Sequence, residues 1–117
     1  MKIIMMGAAA AVLLAGAAQA QEQRYTACTS HAFTPSNETN FVHTRVIPEG
    51  SYWQAMSARF RTHLENRWSS DRFSTASCIA PTSRGDAEAR LREEIARYHR
   101  RESGRVIQID WNDPGFR

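Results

Sequence analysis

Four histidines, His31, His43, His63 and His99, are the first residues to ask for chemistry. His31 and His43 flank a run of turn-forming residues at 34–40, so two strands folding back there bring the imidazoles opposite each other. Facing imidazoles can act as acid and base or share a metal ion. Arg45 follows two residues beyond His43, on the same side of an alternating strand, and its planar guanidinium suits a phosphate. The trio His31, His43 and Arg45 is therefore the catalytic candidate, in a small secreted hydrolase of ribonuclease type. Against it stands the ordinary structural role of half-exposed strand histidines. Neither His-x-His nor His-Glu-x-x-His occurs, and His63 and His99 border the apolar stripes of two helices. Zinc needs three or four convergent ligands, so no metal and no cofactor is expected.

Other nucleophilic and binding signatures are missing. Gly-x-Ser-x-Gly, Ser-x-x-Lys and a glycine-rich phosphate loop do not occur, and only six glycines are present. The three tryptophans could stack on a sugar or a peptide, but Trp53 and Trp68 share a helix stripe and Trp111 lies on the apolar side of a strand. Core positions account for all three. Tyr52 and Phe116 are the aromatics expected at the surface.

Two cysteines remain, Cys28 and Cys78. Their compartment is set by the start of the chain, where Met1-Lys2 precedes an apolar run at 3–17 and the small-x-small site Ala18-Gln19-Ala20. This reads as a cleaved secretory signal peptide over 1–20, leaving one small domain over 21–117 with no membrane span. Export to the periplasm or beyond favours a Cys28–Cys78 disulfide. The spacing is far from the C-x-x-C of a redox pair. Charge narrows the class further. After residue 20 the balance is 14 Arg minus 12 Asp and Glu, or +2, and nucleic-acid binding calls for denser positive charge than that.

Six elements must position these residues. Residues 25–33 and 41–47 read as a hairpin, with Phe41, His43, Arg45 and Ile47 on one face and Val42, Thr44 and Val46 on the other. Residues 51–68 form the central helix, opened by the capping box Ser51-x-x-Gln54, with Trp53, Met56, Phe60, Leu64 and Trp68 along one stripe. A third strand spans 74–80 and contains Cys78. The second helix opens at Ser83-x-x-Asp86 and carries Ala87, Leu91, Ile95 and Tyr98, with Gly104 as its C′ residue and Arg97, Arg100, Arg101 and Arg105 gathered near its end. Residues 105–111 close the chain as a strand. The order β-β-α-β-α-β predicts an α+β fold, a two-layer sandwich of a small mixed sheet and two helices braced by one disulfide.

The run Tyr25-Thr26-Ala27-Cys28, the aromatic-rich helix Trp53 to Trp68, Cys78, the alanine-rich helix Ala87 to Ala96 and the closing Ile109-Asp110-Trp111 resemble small exported single-disulfide domains of Gram-negative bacteria. The resemblance implies fold and compartment, and no catalytic residues come with it. Residues and resemblance together favour a non-catalytic module that binds a periplasmic or cell-envelope protein, with the hydrolase as the alternative. A third possibility is a periplasmic enzyme inhibitor that inserts the turn at 34–40.

Overall fold

The computed structural model describes residues 23–49, 53–74 and 76–112. The signal peptide expected at 1–20, Ser51 and Tyr52 of the expected capping box, and Phe116 lie outside them. The strands are β1 (Tyr25–Thr26), β2 (Cys28–Phe33), β3 (Thr39–Thr44), β4 (Ile47–Pro48), β5 (Arg72–Phe73), β6 (Ser77–Cys78) and β7 (Val106–Ile109). Helix α1 spans Trp53–Arg67 and α2 spans Arg84–Arg101. The main sheet runs β5-β2-β3-β7, with β6 also on β2 and β1 paired to β4 beside it. It is mixed: β2 is antiparallel to β3, β5 and β6, whereas β3 and β7 are parallel. Among the described residues no helix is long and apolar enough to cross a membrane.

Two of the strands expected from the sequence are interrupted, and the register says why. Thr29 pairs with His43 but Thr26 pairs with Ile47, so the β3–β4 side holds one residue more than the β1–β2 side. This is a β-bulge, and the extra residue reverses the alternation beyond Thr44. Ile47 consequently joins Val42 in the core, while Arg45 is exposed. The continuous face from Phe41 to Ile47 expected above is thus broken at 45–46. The third strand, expected at 74–80, is only β6, and a second bulge separates it from β5, which lies in the expected loop: Ala32 pairs with Phe73 but Cys28 with Cys78.

Class, element order, mixed sheet and disulfide are those anticipated. The helices take opposite faces of the sheet. Met56, Phe60 and Leu64 of α1 are fully buried in a core with Cys28, Ala32, Val42, Ile47, Phe73, Ala76, Cys78, Ile109 and Trp111. Tyr98 of α2 instead stacks on Phe41, one residue along from Val42 and pointing the other way, with ring centroids 5.5 Å apart. The α1 stripe thus packs with Val42, and Tyr98 of α2 with Phe41 on the other side of β3. The reason is topological. The connection from β3 to β5 and the connection from β6 to β7 cross the sheet in opposite directions, and two right-handed crossovers of opposite direction put their helices on opposite faces.

The helix ends follow local chemistry. Ser83 caps α2, its hydroxyl accepting from the Asp86 amide at 3.1 Å. At the other end Glu102 is the C-cap in an extended conformation. Gly104 is not a left-handed C′ residue, since no described glycine has positive φ. Its need for glycine is steric: a Cβ there would collide with the Thr39 carbonyl, the Tyr98 hydroxyl and the Asn40 side chain. Those same groups fasten α2 to β3. Tyr98 donates to the Thr39 carbonyl and Asn40 Oδ1 accepts from the Arg105 amide at 2.8 Å.

Two outcomes are expected. A Cys28→Ser, Cys78→Ser double variant should lose roughly 4 kcal/mol, the chain-entropy value for a loop of about 50 residues, read as a lower urea midpoint. Gly104→Ala should cost about 2 kcal/mol through overpacking, and an unchanged midpoint would remove the steric role given to that glycine.

Candidate functional site

His31 and His43 do project from the same face of the sheet, but they are not opposite each other. His31 pairs with Phe41 and Thr29 pairs with His43, so the Phe41 ring stands between the imidazoles. Its centroid is 5.5 Å from His31 and 5.9 Å from His43. His43 is 5% exposed, and its Nδ1 lies 2.6 Å from the Thr44 carbonyl. A carbonyl only accepts, so Nδ1 carries a proton and donates to it, which holds the ring in the packing. His31 is half-buried and lines a hollow of about 190 Å³ with Phe41, Glu94, Arg97, Tyr98 and Arg101. Arg45 is elsewhere, beyond the bulge, paired with Asp110 at 3.0 Å. The three candidates thus do not converge in one cleft. The β-alternation that put them on one face ended at Thr44.

Tyr98 closes the aromatic row under α2. Burial first, then Glu102 and Glu38, raise its phenol above the ordinary value of 10.0, and a hydrogen bond with the Gly104 backbone opposes them. A phenol so placed stays protonated and donates to Thr39, which makes it a strut. His99, at the rim of α2, is exposed.

His63 is half-buried at the border of the α1 stripe, as expected, and one of its nitrogens is enclosed. Its ring lies 6.1 Å from Trp111, and its Nε2 is buried without a hydrogen-bond partner. Burial is the larger cause, and Arg67 the smaller, of a pKa held below the ordinary 6.5. The neutral ring is therefore the one that packs.

A wide concavity lies where Arg45 went. It holds about 500 Å³ between the β3–β4 bend, the first half of α2 and the end of β7. Val46, Ile47, Pro48 and Leu91 supply its apolar parts, while Arg45, Arg84, Glu88 and Arg92 supply charge. Arg84 lies over the Tyr25 ring at 4.5 Å, which fixes its guanidinium, and Arg45 is exposed despite its pairing with Asp110. Arg92 is exposed and has no ion-pair partner among the described residues. Sequence reasoning missed this cleft. Arg84, Glu88, Leu91 and Arg92 do follow helical spacing, and that was the available signal. What could not be read was that the bulge would turn Arg45 toward them.

The arrangement supplies cations above an apolar floor and no paired acid and base. Among the described residues no group of three or more His, Cys, Asp or Glu is placed to hold a metal ion. The turn between β2 and β3 is well fixed: the Thr34 amide and hydroxyl both bond Glu38 backbone groups, at 2.9 and 3.0 Å, and Asn37 takes φ 65°.

The pKa of His63 sets a pH dependence. With the folded pKa lowered, the unfolded chain takes up the proton first as pH falls, so stability is full above 6.5 and is lost as pH drops through that value toward the folded one. Urea midpoints at pH 7.5 and 5.5 should show a decline that is smaller in a His63→Phe variant. Equal declines in both proteins would remove His63 as the cause. No protein-family model, no curated protein and no solved structure matches this chain.

Proposed function

We propose that the chain is an exported, non-catalytic binding module that captures an acidic segment of another protein of the cell envelope. The observation that carries the reading is the cleft of Arg45, Arg84 and Arg92 over Val46, Ile47, Pro48 and Leu91. Arginine forks bind carboxylates, and an apolar floor adds burial energy to the pairing. Three features support it. The cations sit on a helix and a bulged strand braced by the disulfide, so they are presented with little freedom to lose. Arg92 is unpaired, and Arg45 holds a partner so exposed that a competing carboxylate can replace it. The bridge is compatible with an extracellular or periplasmic place.

Titration of the full chain with poly-L-glutamate and poly-L-lysine tests this. The glutamate polymer should bind saturably and more weakly at high salt. An Arg84→Ala, Arg92→Ala variant should bind it at least tenfold more weakly, whereas Arg100→Ala, Arg101→Ala, an equal change of charge at the far end of α2, should not. An equal loss in both variants would show general electrostatics and no specific seat, and would falsify the reading.

A further inference from the structure

The cleft opens beside a strand whose outer edge is unpaired among the described residues. β7 is the last strand of the main sheet, and among the described residues it pairs only with β3. The Phe41 amide bonds the Arg105 carbonyl at 2.8 Å, and continuing that parallel ladder turns Ile107 and Ile109 inward. Val106 and Gln108 are left with N–H and C=O groups pointing away from the sheet. Exposed edges are normally guarded by charge, proline, bulges or shortness. The other edges here have such guards. β5 and β6 are two residues each with a bulge between them, and β4 ends in Pro48, which has no N–H to offer. The four residues of β7, Val-Ile-Gln-Ile, have none.

Gln108 belongs both to this edge and to the lining of the arginine cleft, and Asn112 continues the lining beyond it. We infer that an extended partner segment with alternating acidic and apolar residues adds to β7 as a further strand of the sheet. The inference rests on the reading of the cleft given above and specifies the geometry of its ligand. Side chains of an added strand alternate between faces about every 3.4 Å. Those on the Gln108 face lie at the mouth of the cleft, where Arg45 and Arg92 select carboxylates. Those on the other face meet the half-buried Ile107, which packs against the α1 core, so apolar residues suit them. Main-chain bonds to Val106 and Gln108 supply affinity, and the alternating side chains supply selectivity.

A synthetic peptide, acetyl-Val-Glu-Val-Glu-Val-Glu-amide, tests the inference on the full chain by amide hydrogen exchange. Saturating peptide should slow exchange at Val106 and Gln108 at least tenfold while leaving Ile107 and Ile109 nearly unchanged, because those amides are already bonded to β3. A Val106→Pro variant, which loses only an outward donor, should bind the peptide about tenfold more weakly with its urea midpoint retained. The lysine analogue of the peptide should not bind. If poly-L-glutamate binds and the peptide fails to protect the two amides, the edge inference falls and the cleft reading stands. If neither binds, both fall. Protection of Val106 and Gln108 in peptide-free protein, with a dimer seen by sedimentation, would overturn the inference in favour of a second copy on the edge.

Discussion

Cys28 and Cys78 face each other at a ladder position where neither backbone amide bonds across the strands, with Cα atoms 3.9 Å apart. Both amides go to hydroxyls on other elements. The Cys28 amide donates to Thr44 Oγ1 and the Cys78 amide to Ser57 Oγ, each at 3.0 Å. The bridge therefore does more than close a loop. It joins β2 to β6 covalently, and through the two hydroxyls it joins β2 to β3 and β6 to α1. Each buried amide finds the partner that burial demands. Because Cys28 is at the centre of the core, the register of every strand around it is fixed by one pair.

The two bulges follow from that fixed point. A straight hairpin would keep the 41–47 segment in phase and leave Ile47 on the face away from α1. The extra residue opposite Ala27 and Cys28 reverses the phase, sending Ile47 inward and Arg45 outward. Thr44 makes this tolerable, since its hydroxyl accepts from Cys28 and donates to the Arg45 carbonyl at 2.6 Å. The local price in ladder bonds is offset by the side chain of the residue at the bulge. What emerges on the outside is the arginine cleft, so the feature that could bind a ligand is a by-product of how the core is phased.

The histidines show how different a residue type and a residue role can be. His43 is buried beside Phe41 with Nδ1 donating to the Thr44 carbonyl, and His31 is an edge-on neighbour of Phe41. His63 fills space beside Trp111 at the cost of a buried nitrogen without a partner. That cost is smallest when the ring is neutral, which is why burial dominates its lowered pKa. None of the three roles is visible in spacing, because each depends on what stands on the facing element.

Periodicity by itself determined the two helices. Met56, Phe60 and Leu64 at steps of four could only be the buried side of a helix, and Ser83 three residues before Asp86 could only be a cap. The order of elements and the pairing of the two cysteines were equally legible, for local propensity and cysteine count are properties of the chain. Tertiary structure decided the rest. Which face each helix covers depends on the direction of two crossovers, and the sheet order that sets it is not encoded in either connection. Where alternation stops depends on a bulge, and Thr39, Asn40 and Tyr98, not a C-cap, decide that position 104 must be glycine. The cleft belongs to this second class. Arg45, Arg84 and Arg92 are far apart in the chain and meet because phase and crossover direction, both long-range properties, bring a strand end and a helix start together.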